Sequence, residues 1–207
     1  MAVLVGIVAW ATADLLLPER SSLRRFDPEE VARLENSMWR AYYERREFAL
    51  FRDMTTLLRR EYHMPPRATV TAFHAARAAF VFKRGRERQD YELALPALRR
   101  YYRQLLRISD TPFDVEQVSR LELEWWIVHR ERQQHDPGDL PRTLAELQAA
   151  IYRLDVARFT EHAQLRAEAM TIRDDQAAAG GVTESDWSRI QELLRDSFIT
   201  LHAAVNS

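Results

Sequence analysis

Glu122, Trp126 and His129 stand four and then three residues apart in the string LELEWWIVHR, so a helix would present carboxylate, indole and imidazole on one stripe. A carboxylate and an imidazole so placed could exchange a proton, hold a polar ligand or share a metal ion. Glu35, His74 and Glu161, from other segments, would extend the stripe into an atypical carboxylate and imidazole cluster. Carboxylate-bridged di-iron bundles instead use paired Glu-x-x-His motifs. The residues three before His63, His74, His129, His135, His162 and His202 are Arg60, Thr71, Trp126, Arg132, Phe159 and Ile199, so that motif does not occur. The reading is a pocket at Glu122, Trp126 and His129 with neither metal nor cofactor. Its plainer rival is a His129 imidazole that meets a carboxylate or carbonyl beside the core.

Other chemistries find no residues. The chain lacks cysteine, which removes disulfides, thiolate nucleophiles and cysteine-ligated metals. No serine stands in a Gly-x-Ser-x-Gly elbow, and the five glycines form neither a Walker loop nor a Rossmann fingerprint. No catalytic residue is assigned. Thirty basic side chains against 31 acidic ones give a net charge of -1, without the excess that a phosphate backbone demands, so nucleic acid is not an expected partner.

The charged string Glu44-Arg45-Arg46-Glu47 interrupts an apolar stripe, which makes Tyr43, Arg45 and Arg46 candidates for docking a partner. A solvated collar on a projecting helix is the simpler account. The doublets Tyr42-Tyr43, Tyr101-Tyr102 and Trp125-Trp126 put neighbouring rings about 100° apart on a helix, so packing on two sides is implied.

These residues need helices to position them, and the pattern supplies helices throughout. The expected fold is all-α, an irregular bundle of six or seven helices with an additional N-terminal apolar helix. Asp27-Pro28-Glu29-Glu30 starts a helix that the stripe Val31, Leu34, Met38, Tyr42, Phe51, Met54 and Leu58 carries to about Tyr62. Further helices are expected over about 67–83, 90–109 with Pro96 delaying or kinking its start, 114–134, 141–153, 156–178 and from Thr183 to the end. No repeat at solenoid period and no strand-like alternation compete. With 207 residues, 46% of them hydrophobic, one domain with a short appendage fits.

The appendage is 1–25, ahead of a helical domain over 26–207. Residues 2–17, AVLVGIVAWATADLLL, would span roughly 24 Å as a helix against a hydrocarbon core of about 30 Å. Leu4, Ile7, Trp10, Leu15 and Leu16 are its anchoring side chains, and Arg20, Arg24 and Arg25 flank it on the side that the positive-inside rule places in the cytoplasm. The expected role is therefore a non-enzymatic accessory or scaffolding subunit of an inner-membrane assembly, a respiratory or photosynthetic complex being one example. Its domain would face the cytoplasm and its partners would be the protein subunits of that complex. The alternatives are a cytoplasmic helical enzyme or ligand-binding protein using the Glu/His pocket, and a homo-oligomer that buries 2–17 in a neighbouring copy.

The stretches FDPEEVARLENSMWRAYYERR at 26–46, LELEWWIVHRER at 121–132 and GGVTESDW at 180–187 resemble a group of uncharacterised bacterial all-helical proteins, from about Phe26 to the C-terminal helix. That resemblance implies the helical domain and carries no activity, cofactor or catalytic residue with it.

Overall fold

A computed structural model describes residues 21–65 and 68–207, with Gly6 ahead of them. Helix α1 (Pro28–Tyr43) begins where the sequence places it, with the Asp27 carboxylate accepting the backbone N–H groups of Glu29 and Glu30. It ends early. Arg45 takes a left-handed conformation, φ 59°, and the chain turns back into α2 (Glu47–Thr56), so the single helix expected from Asp27 to Tyr62 is two. The physical reason lies in Glu44–Glu47, which has no apolar face to bury on a continuing helix, whereas a turn lets Leu50 and Leu58 reach the core.

A π-helical turn (Leu57–Glu61) ends this arm, followed by α3 (Ala68–Arg84), the single-turn α4 (Arg88–Glu92) and α5 (Leu95–Ile108). Pro96 sits in the first turn of α5, where its missing N–H leaves no intrahelical bond unmade. Then come α6 (Val115–Arg130), capped by Asp114, α7 (Asp139–Tyr152), α8 (Thr160–Ala178) and α9 (Glu184–Asn206). At the start of α9, Asp186 performs the capping-box role usual for Glu: it accepts the Thr183 N–H at 2.8 Å while its own N–H donates to the Thr183 hydroxyl. Among the described residues there are eight helices of ten residues or more, and the chain is all-helical as expected.

Each long helix packs on the next along the chain, and α9 packs back on α1. The eight therefore close a ring. Apolar clusters fill the spaces between neighbours, one of them joining α3, α5 and α6 through Ala78, Phe82, Leu98, Leu123 and Ile127.

The second half of the ring repeats the first. Phe26, Asp27, Glu29, Val31, Arg33, Leu34, Glu35 and Trp39 recur 87 positions later as Phe113, Asp114, Glu116, Val118, Arg120, Leu121, Glu122 and Trp126. The offset grows to 91 in α3 and α8, where Ala72, Ala76 and Ala78 match Ala163, Ala167 and Ala169, all buried, and to 96 in α5 and α9, where Leu98 and Leu105 match Leu194 and Leu201. The two arms that carry α2 and α7 end alike, on Tyr62-His63 and Tyr152-Arg153, with φ of 49° at His63 and 54° at Arg153. The ring thus has an approximate two-fold relation, with a spacing too long to register as a solenoid.

Gly85 ends α3 tightly against α4. A Cβ there would lie 2.8 Å from Tyr91 Cδ1 and 3.0 Å from Asp90 Cβ, while Arg130 Nη1 donates to the Phe82 and Gly85 carbonyls at 2.8 and 2.9 Å. Gly85→Ala is expected to lower the unfolding free energy by about 1–3 kcal/mol, the usual range for overpacking. Urea unfolding checks this, with Gly138→Ala, whose Cβ meets nothing within 4 Å, as the near-neutral comparison.

The appendage's last residues belong to the ring. Leu23 is buried, and Arg24 donates to the Val205 carbonyl at 2.5 Å and the Tyr152 carbonyl at 3.4 Å, holding the ends of α9 and α7. Arg24 is thus a strut of the helical body, because unmet helix-terminal carbonyls attract a guanidinium. Arg25 is exposed. Leu4, Ile7, Trp10, Leu15, Leu16 and Arg20 lie outside the described residues; within those, no helix is long and apolar enough to cross a membrane.

Candidate functional site

A cavity of about 660 Å³ occupies the middle of the ring, and all eight long helices contribute to its wall. The wall is mostly aromatic and aliphatic, with Glu35 on α1 and Glu122 on α6 set into it from matching positions and His129, Arg130, Arg132, Arg166, Arg173 and Asp174 also on it. Large apolar pockets with a few convergent polar groups are the usual form of small-molecule sites.

Each carboxylate is fixed by its own helix. Trp39 Nε1 donates to Glu35 Oε1 at 3.1 Å, and Trp126 Nε1 donates to Glu122 Oε1 at 3.0 Å, both from one turn further along. Beyond that the two diverge. Glu35 pairs with the Arg166 guanidinium from α8, which also lies 5.6 Å over the Trp125 ring. Glu122 receives only a second neutral donor, the Tyr102 hydroxyl from α5 at 2.7 Å. The repeat accounts for the difference: Arg166 corresponds to Ala75 on α3, and Tyr102 corresponds to Phe198 on α9.

Burial raises the Glu35 carboxyl above the usual range, and the opposing pull of Arg166 and Trp39 does not cancel it; the Glu122 charge across the cavity adds to the rise. Burial likewise raises Glu122 against its donors and Arg166. Tyr43, Tyr62, Tyr101 and Tyr102 are all pushed upward by burial, so they line the cavity as neutral phenols. The Trp125 N–H and Arg166 Nε are buried without a hydrogen-bond acceptor. Such groups favour a polar atom in the space they face.

Of the residues read from the sequence, Glu122 and Trp126 are joined and His129 is not. Its Nε2 lies 3.0 Å from Asp174 Oδ2 on α8, close in charge but not aligned as a hydrogen bond. Burial pulls Asp174 upward, yet His129 and Arg173 outweigh it and hold the carboxyl below its ordinary value. The wider cluster with Glu35, His74, Glu122, His129 and Glu161 does not assemble: Glu161 is exposed on α8, and His74 packs against Phe73 off the cavity wall. Among the described residues, no three His, Asp or Glu side chains are placed to hold a metal ion.

The suggested docking trio also separates. Tyr43 is drawn into the cavity wall with Arg173 3.1 Å above its ring, while Arg45 and Arg46 remain exposed at the α1–α2 turn, Arg46 paired with Glu44 at 2.7 Å. The side chain that sequence reasoning missed is Arg166, one arginine among many in a weakly amphipathic helix. The repeated string Phe-Asp-x-Glu-x-Val-x-Arg-Leu-Glu-x-x-x-Trp was the available signal, since it marks Glu35 and Glu122 as equivalent.

In chemical terms the cavity can enclose a small amphipathic molecule, offer it a chargeable carboxyl at Glu122 and stack it on indole and phenol rings. No family model, curated protein or solved structure matches the chain.

Proposed function

We propose that this protein binds a small amphipathic molecule in the central cavity of its ring. The observation that carries the reading is a cavity of about 660 Å³ walled by every long helix and furnished with two repeat-related carboxylates. A core built only for stability would fill such a volume, because voids forfeit packing energy. The alternative of a membrane accessory subunit draws on residues 2–17, of which only Gly6 is among the described residues, and the helices themselves add no observation in its favour.

Uptake of Nile red, a neutral apolar dye, tests the reading. The expected result is saturable 1:1 binding with a blue-shifted emission, weakened at least tenfold by Ala79→Phe, which intrudes on the cavity from α3, and unchanged by Phe48→Ser on the exposed face of α2. Equal uptake by wild type and Ala79→Phe would place the dye on the surface and overturn the proposal.

A further inference from the structure

The two halves of the cavity solve the same problem differently. On one side the carboxylate of Glu35 has a guanidinium, Arg166, laid against an indole. On the other, the equivalent carboxylate of Glu122 has no guanidinium, and Ala75, which also lines the cavity, stands where the register places Arg166. The register supports this correspondence in detail. Ala75, Ala79 and Phe82 line the cavity from α3 at the positions that Arg166, Met170 and Arg173 occupy on α8. Phe82 lies 5.2 Å from Trp126, the rings tilted, and Arg130 binds the Phe82 carbonyl, so the C-terminal ends of α3 and α6 meet. One turn before Trp126 stands Glu122; one and two turns before Phe82 stand Ala79 and Ala75.

From this geometry we propose that the cavity takes an organic monocation, an ammonium or guanidinium group on an apolar body, with its head beside Glu122 in the place left by Ala75. The inference rests on the ligand-binding reading above and adds the chemical class. The head meets a carboxylate whose other partners, Tyr102 and Trp126, are neutral, and rings whose faces attract cations. The apolar body lies along the Leu98, Tyr101 and Phe82 side of the wall. Arg166 on Trp125 beside Glu35 is the protein's own intramolecular version of the same arrangement. Arg130, Arg132, Arg166 and Arg173 also line the cavity but are engaged by the Phe82 and Gly85 carbonyls, Asp175, Glu35 and Asp174, which leaves Glu122 as the lining carboxylate with no ion pair among the described residues.

Calorimetric titration at pH 8 with 4-phenylbutylamine, 4-phenylbutanol and 4-phenylbutyrate compares one body with three head charges. The expected order is amine tightest by tenfold or more, then alcohol, with the acid weakest. Glu122→Gln should bring the amine down to the alcohol's affinity. Ala75→Arg should abolish amine binding while the protein keeps its helical circular dichroism and unfolding midpoint, because it supplies the missing cation from within. Equal affinity for amine and alcohol, or an amine preference that survives both substitutions, overturns the monocation while leaving the cavity reading intact. Failure of all three compounds together with Nile red would remove the cavity reading itself.

Discussion

Arg166→Met is expected to lower the unfolding free energy at pH 8 by about 3–5 kcal/mol, the usual consequence of stripping one partner from a buried ion pair. Glu35 is 6% exposed, and without the guanidinium its only remaining donor in this structure is the Trp39 indole. The loss should shrink as the pH falls. A Glu35 deprived of Arg166 has a folded-state carboxyl raised still further above its unfolded value, so the stability tied to its protonated form is present below the unfolded value of 4.5 and is lost as pH rises through the folded one. Adding Glu35→Gln to the Arg166→Met chain removes the stranded charge and should recover most of the deficit. Urea unfolding of the four proteins at pH 8 and pH 5 closes the cycle. Additive single effects would show that the pair is not coupled, contrary to its geometry.

The second large effect is acid lability through His162. This imidazole is 1% exposed on α8, with Nδ1 2.8 Å from Ser197 Oγ and 2.9 Å from the Ser197 carbonyl of α9, while the Ser197 hydroxyl donates back to the His162 carbonyl at 3.0 Å. Burial, aided by the neighbouring Arg166 charge and opposed by the Ser197 carbonyl, pushes its pKa down to about 3 from 6.5. Between those values the unfolded chain binds a proton that the folded chain refuses. Stability from this group is therefore full above pH 6.5 and declines as pH falls toward 3, by about 5 kcal/mol over the whole window at 1.36 kcal/mol per unit. Glu35 and Glu122 act with the opposite sign, since their raised carboxyls favour the folded state on acidification. The His162 contribution is separated by nuclear magnetic resonance: its C2 proton should hold the neutral shift from pH 8 to pH 5. A His162 signal that moves near pH 6.5 in the folded protein would contradict the assignment.

How much of this was legible depended on how local each feature is. The N-caps Asp27 and Asp114, the Thr183–Asp186 box and the Pro96 helix start are set by neighbours within a turn, and the sequence displays them. The Glu122–Trp126 contact spans four residues and was equally visible. The break at Arg45 left one signal, since Phe51, Met54 and Leu58 fall about 180° from Val31, Leu34, Met38 and Tyr42 on a continuous helix, but no glycine marks the positive φ. His129 gave no sign of choosing Asp174 over Glu122, since the decision is made by how α8 lies against α6. Arg166 was hidden most deeply. Its partner Glu35 is 131 positions away in the chain, and nothing in the residues around Arg166 distinguishes it from arginines that face water.

The ring's approximate two-fold relation has a bearing on descent. Four helices cannot close a ring of eight, so a half-length ancestor would have enclosed this space only as a pair of identical chains. Identical chains carry every substitution twice: both carboxylates would have had an arginine beside them, or neither would. A single chain is free of that constraint, and Arg166 opposite Ala75, like Tyr102 opposite Phe198, is a distinction that two identical chains could not hold.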